Sequence, residues 1–252
     1  DHRDLHSFPT RRSSDLKEVK LMSDIMGSVM CPTRDSNWIT KLLFSYVALI
    51  PLLGSLCLAG YQLKAIREYA REPKDSMPEW ENWGQLFMDG IMMALLAMFY
   101  MLVPAILMVF SFLPMILTAV GTAGAMSDNT AVQSLSAIAA IGGPVLTLIL
   151  MGVSSILMFI AALLMPMAMG VYAVSGSFFA AINPLGILGK VLGNIGSYIM
   201  VLLIPAVLSL VINFILGITV IGSLLIFPAM LYVIVVSSKM MGDMFRENNI
   251  CS

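Results

Sequence analysis

Long apolar runs dominate this chain, and short polar segments interrupt them at intervals. Over residues 90–189, one hundred positions, a single formally charged side chain occurs, Asp128. A bilayer core accepts helices of about 20 apolar residues, and a charge at its centre costs roughly 2.5–3.5 kcal/mol on insertion scales. A water-soluble fold has too few charges here to face its apolar surface to solvent. The pattern predicts an all-α fold: a polytopic transmembrane helical bundle of about five spans, with kinked helices and interfacial helices.

The runs place spans at 38–61, 91–120, 145–169, 195–216 and 224–237. Pro51 and Gly54 interrupt the first. The second holds Pro104 and Pro114, and as a straight helix it measures about 45 Å, longer than a ~30 Å hydrocarbon core. It is therefore expected to kink at the prolines or leave the membrane early. Residues 121–129 read as a small-residue loop carrying Asp128. A weak helix at 131–141 is expected to break at Gly142-Gly143-Pro144. Pro166 lies near the end of the third span, and Pro205 kinks the fourth.

Between the first two spans, 62–81 reads as a helical extension along the interface. Leu63, Ile66 and Ala70 share one face, and the helix stops near Pro73. Residues 77–90 predict an interfacial helix with Pro78 at its first position, Glu79 and Glu81 in its first turn, and Trp80 and Trp83 at headgroup level. A second interfacial excursion covers 172–194. The membrane domain is thus 38–238, flanked by a polar, mobile N-terminal tail at 17–37 and a polar C-terminal tail at 239–252.

Lys and Arg set the orientation. Lys64, Arg67, Arg71 and Lys74 follow the first span. The next connection has none, the one after it has Lys190, the following turn has none, and Lys239 and Arg246 close the chain. Five spans then place the C-terminus in the cytoplasm and the N-terminus outside. Arg34 and Lys41 oppose this, because they put charge before the first span as well. If both flanks are cytoplasmic, 38–61 is a re-entrant hairpin turning at Pro51 and Gly54. The full span is the expectation carried forward.

Residues 1–16, DHRDLHSFPTRRSSDL, match position by position the translation of a standard sequencing adapter, and they are set aside. The native N-terminus is then expected at Met22, at Met26 or further upstream. Both histidines, His2 and His6, lie in that segment. Basic residues fall from 14 to 11 and acidic ones from 15 to 12, so the net charge stays at −1. This balance gives no argument for nucleic acid. Without a histidine base, Ser-His chemistry is excluded. The 22 methionines and 19 glycines suit membrane helices, as soft filler and as points of close approach. Cys31, Cys57 and Cys251 show no metal or disulfide spacing. No catalytic, cofactor-binding or metal-binding residue is expected.

Few polar groups remain as candidates. Glu79, Glu81 and Asp89 cluster near the second span. On one continuous helix Glu81 and Asp89 share a face about 12 Å apart, too far for a shared proton or one metal ion. Helix-terminal charge and solvation explain them, against a cation or headgroup contact through Asp89. Asn213 is expected to hydrogen-bond across helices. The expected function is a non-enzymatic structural or interaction role in the cell envelope. The expected partners are the lipid bilayer, other membrane proteins or further copies of the chain. The alternative is a small-solute or lipid transporter hinged at Pro51, Pro104, Pro166 and Pro205 and built around a polar mid-membrane cavity.

Two blocks stand out against this background. Gly60-Tyr61 precedes Lys64 and Arg67, and is followed by Pro78-Glu79-Trp80, Gly84-Gln85-Leu86-Phe87 and Asp89-Gly90. Further on come Tyr172-Ala173 and Phe178-Phe179-Ala180-Ala181. On these residues, 38–247 resembles an uncharacterised prokaryotic membrane family, the domain of unknown function 4013. Met77 stands where the family has Leu, and the second block carries less charge than the family's. The resemblance implies a multi-pass membrane domain. It also implies a structural role for Gly60, Tyr61, Pro78, Trp80, Gly84, Phe87, Asp89 and Gly90. It implies no activity.

Overall fold

The computed structural model of the chain describes residues 13–50, 53–124, 130–218 and 220–250. Pro51, Asp128 and Cys251 lie outside these residues. Helices follow one another as α1 (Ser13–Arg34), α2 (Trp38–Leu43), a 3-10 helix (Phe44–Leu49), α3 (Leu53–Arg71), α4 (Trp83–Ser111), α5 (Leu113–Gly124), α6 (Thr130–Ser175), α7 (Phe178–Ala181), α8 (Pro184–Gly193), α9 (Ile195–Gly217) and α10 (Val220–Glu247). Among the described residues, four stretches are long and apolar enough to cross a bilayer: Trp83–Ala119, Ala140–Ser175, Ile195–Gly217 and Leu224–Glu247. The chain is a multi-pass, all-α membrane protein. It divides into two compact units, Asp1–Gly90 with Ile195–Ser252, and Ile91–Asn194.

In the second unit the expected break at Gly142-Gly143-Pro144 does not occur. α6 runs unbroken through it and through Pro166. Each proline forfeits one N–H bond to the preceding turn, too little to end a helix this apolar. Gly143 instead brings α6 against α5, since a Cβ there would lie 2.9 Å from the Pro114 carbonyl oxygen. α4 likewise passes through Pro104. The second expected span breaks at Phe112, leaving Pro114 as the second residue of α5, where its missing N–H has no intrahelical partner to lose. Ser154 Oγ donates to the Pro104 carbonyl at 2.8 Å and Tyr100 OH to the Ala181 carbonyl at 2.8 Å, joining α4 to α6 and α7. The Asn183 side chain caps α8 by accepting from the Gly186 N–H, with Pro184 at the first helical position.

In the first unit the first expected span doubles back. Lys41 Nζ donates to the Met77 carbonyl at 3.0 Å, and Tyr61 OH donates to the next carbonyl, Pro78, at 3.0 Å. The two ends of the apolar run therefore sit on neighbouring residues. Between them, Tyr46 OH donates to the Leu224 carbonyl at 2.7 Å, and the Tyr46 ring lies 5.9 Å from that of Phe227. Leu224 is near the start of α10. α3 then returns parallel to α10: Ser238 Oγ bonds the Gln62 carbonyl and Arg246 Nη1 the Tyr69 carbonyl. From Leu224 to Ser238 a helix rises about 20 Å, so the segment descends that far beside a spanning helix and comes back.

The run is thus a hairpin rather than one straight helix, and among the described residues four stretches remain long and apolar enough to cross a bilayer. Pro51 supplies the cause. It lacks an N–H and disfavours a helical conformation at Ile50, whose backbone is extended at φ −76° and ψ 111° after the chain has tightened into 3-10 form.

Both expected tails are helical instead. Residues 17–37 fall largely in α1, which packs against α10. Tyr232 OH donates to the Val29 carbonyl at 2.6 Å, and Ser28 and Cys31 are buried. α10 continues to Glu247. Its last turns put Lys239, Asp243 and Arg246 at helical spacing and bury Met240, Met241, Met244 and Phe245. A polar average over each segment hid an amphipathic stripe.

Candidate functional site

The charged residues of the first unit gather where the base of the hairpin, the 72–82 segment and the end of α10 meet. Asp35 anchors the inner part. Its Oδ1 accepts the Asn37 N–H at 2.9 Å, and its Oδ2 accepts the Met77 N–H at 3.1 Å and Lys41 Nζ at 2.7 Å. Lys41 also reaches Glu79 Oε1 at 2.6 Å. Burial pushes the Asp35 carboxyl up, but the Lys41 bond and the two backbone donors outweigh it and hold the group below its ordinary range. Burial likewise pushes Lys41 down, and its two carboxylate partners more than reverse that. Buried ions demand such pairing.

This network replaces the helix expected over 77–82. α4 begins only at Trp83, and the backbone groups of 77–79 are used by Asp35, Lys41, Tyr61 and Lys64 instead of by helical bonds. The premise of a continuous helix from Glu81 to Asp89 fails with it. Glu81 faces Lys64 at 3.4 Å. Asp89 accepts two bonds from the Arg67 guanidinium, at 3.1 and 3.4 Å.

Beside the network lies an aromatic stack. Tyr61 and Trp80 are near-parallel, 4.2 Å apart and 11° between planes. Trp83 follows at 5.5 Å from Trp80, and Phe44 lies 6.0 Å from Trp80. Pro78 is buried under the Tyr61 hydroxyl. The glycines of the first block explain the α3–α4 approach. A Cβ on Gly60 would strike the Leu86 carbonyl, and a Cβ on Gly90 would strike that of Leu56. Each glycine sits one turn from the residue contacted by the other, so two antiparallel helices touch backbone to backbone.

Six of the eight family-motif residues therefore assemble: Gly60, Tyr61, Pro78, Trp80, Asp89 and Gly90. A Cβ on Gly84 would meet nothing within 4 Å, and Phe87 is half-buried. In the second block, Tyr172 packs edge-on to Phe178 in the other unit. Asn213 does not bond across helices. Its amide donates to the Ser209 carbonyl, one turn back on α9, at 2.7 Å.

The outer part is a ladder of alternating charge. Arg34 meets Asp75 at 3.1 Å, Asp75 meets Lys239 at 3.2 Å, Lys239 meets Asp243 at 3.4 Å, and Asp243 meets Arg246 at 2.6 Å. It joins α1, the α3–α4 connection and α10. Lys239 is 7% exposed; it also donates to the Lys74 carbonyl and lies 5.4 Å over the Tyr69 ring. The ladder borders a cavity of about 530 Å³ between α1, α9 and α10. The sequence offered a signal for two rungs, the i, i+4 pair Lys239–Asp243 and the i, i+3 pair Asp243–Arg246. Asp35 and Asp75 carry no local pattern, and their partners are distant in the chain. Among the described residues no three His, Cys, Asp or Glu side chains converge as metal ligands. The arrangement positions backbone and neutralises charge at the edge of an apolar bundle.

Neither the curated proteins nor the solved structures yield a match to this sequence. A family model described as a protein of unknown function, DUF4013, matches residues 43–221, from the hairpin through the first residues of α10. With well over half its length covered, and with the first-block residues forming one packed site, the chain belongs to the DUF4013 family of proteins of unknown function.

Proposed function

We propose that this is a non-catalytic protein of the cell membrane with a structural or interaction role, anchored by four spans and one re-entrant hairpin with both termini in the cytoplasm. The carrying observation is the mutual engagement of the charged groups at the hairpin base: Asp35, Lys41 and Glu79 close on one another, as do Arg67 and Asp89. Groups so engaged hold segments together rather than wait for a substrate. Four spans also remove the conflict among the basic residues. Arg34, Lys41, Lys64, Arg67, Arg71, Lys74, Lys190, Lys239 and Arg246 then share one side, and the α5–α6 and α9–α10 connections carry no Lys or Arg.

Asp89 is the test of the non-catalytic reading, being a carboxylate inside the Trp83–Ala119 stretch. Asp89→Asn should lower thermal stability in detergent and leave the phenotype of a deletion strain fully complemented once expression is matched. Loss of complementation at normal abundance and stability would refute the reading. The transporter alternative has less support. The 340 Å³ cavity lined by Ile212, Leu216, Ile226 and Val233 is polar only at Ser209 and Asn213, which bond each other.

A further inference from the structure

The cavity beside the charge ladder is amphipathic in a way the ladder itself does not require. Its floor is Met200 and Val201 from the first turns of α9 and Met240 and Met244 from the last turns of α10. Those turns are the ends of two spanning stretches, so the floor lies at headgroup depth. Arg34 and Arg246, the two ends of the ladder, also line the cavity, their side chains 48% and 29% exposed. Two further carboxylates, Asp24 and Glu247, line the rim and form no ion pair with a described residue. The ladder alone sums to +1, and with these two the lining reaches −1. A ligand suited to this lining has an apolar tail, an anionic group for the arginines and a cation for the rim.

We propose that this cavity binds a membrane phospholipid with a primary ammonium headgroup, that is, a phosphatidylethanolamine. Its phosphodiester faces Arg34 and Arg246, its ammonium lies between Asp24 and Glu247, and its acyl chains run down over Met200 and Met244. Carboxylates both attract a cation and accept its hydrogen bonds, and a primary ammonium offers three donors. A choline headgroup keeps the charge without a donor. A glycerol headgroup brings no cation to the rim, which then repels the bare phosphodiester. The proposal rests on the membrane sidedness given above.

Gly27 supplies a test that spares the fold. It lines the cavity on α1, and a Cβ there meets no atom within 4 Å, so Gly27→Trp fills the cavity from an open position. The full chain, purified in mild detergent, is titrated with phosphatidylethanolamine, phosphatidylcholine and phosphatidylglycerol of identical acyl chains. Bound lipid is read by native mass spectrometry. The expected result is a preference of roughly tenfold for phosphatidylethanolamine. Gly27→Trp should abolish it, and Asp24→Asn with Glu247→Gln should reduce it to the phosphatidylcholine level at an unchanged lipid-free unfolding temperature. Should Gly27→Trp fail to fold, the carboxamide pair still decides. Equal binding of the three lipids, or a preference that survives the variants, would overturn the proposal. So would competition by free phosphoethanolamine as strong as that by the lipid. Lipid indifference alone leaves the proposed topology standing, whereas tags on opposite sides of the hairpin would remove both.

Discussion

Asp35 and Lys41 meet at 2.7 Å with each side chain only 6% exposed. Together they tie the turn after α1 to the first turn of the hairpin and, through Met77, to the α3–α4 connection. Breaking such a pair from one side strands a buried charge. Lys41→Met should cost about 3–5 kcal/mol, visible as a large drop in unfolding temperature in detergent. Glu79→Gln, at the exposed outer partner, should cost no more than about 1 kcal/mol. Adding Asp35→Asn to Lys41→Met should recover part of the loss, since no bare carboxylate remains.

The same pair sets two pH limits. The Asp35 carboxyl is depressed in the fold, so its contribution is present above the unfolded value of about 4 and is lost as pH falls through its lower, folded value. Lys41 is raised, so its contribution is complete below about pH 10 and is lost as pH rises through its higher, folded value. Unfolding temperature against pH should show a plateau between these limits. Asp35→Asn should remove the acidic fall that this residue causes.

Glycines of the first block separate contact from composition. Gly60→Ala and Gly90→Ala put a Cβ against a facing carbonyl and should destabilise by about 1–3 kcal/mol, although alanine is the better helix former. Gly84→Ala, in open space on α4, should be neutral or stabilise by up to about 1 kcal/mol. Thermal unfolding of the three single variants checks this.

Cys31 tests the docking of α1. It is fully buried, within 3.5 Å of the Tyr69 hydroxyl, and burial pushes its thiol up. Thiolate is the reactive form. With Cys57 replaced by Ala and Cys251 by Ser, the folded protein should resist maleimide for hours and label fully on unfolding in dodecyl sulfate. A mobile tail would label within minutes.

The apolar runs made the membrane class and all four spans legible, because a bilayer imposes length and hydropathy directly. Hairpin and full span were not separable at 38–61. Both bury the same residues, and only the meeting of Lys41 and Tyr61 on adjacent carbonyls distinguishes them. Net polarity at the two ends masks their helices, because the stripe of Met240, Met244 and Phe245 is diluted by charged neighbours on the same turns. The expected break at Gly142-Gly143-Pro144 treated glycine as punctuation, whereas Gly143 serves close packing against α5. In the site, the block from Gly60 to Gly90 was visible as residues and not as an assembly. Its charged partners, Asp35 above all, come from elements with no local pattern to link them.

The topology stands on a hairpin that returns to the side it left. Cysteines introduced at Ser36 and Glu72, which flank it, and at Ile218, in the α9–α10 connection, can be tested one at a time in the Cys251→Ser background, whose remaining Cys31 and Cys57 are buried. Intact cells are treated with a membrane-impermeant maleimide. The topology predicts that positions 36 and 72 stay unlabelled until the cells are opened, while position 218 labels from outside. Labelling of 36 and 72 from opposite sides of the membrane would contradict it.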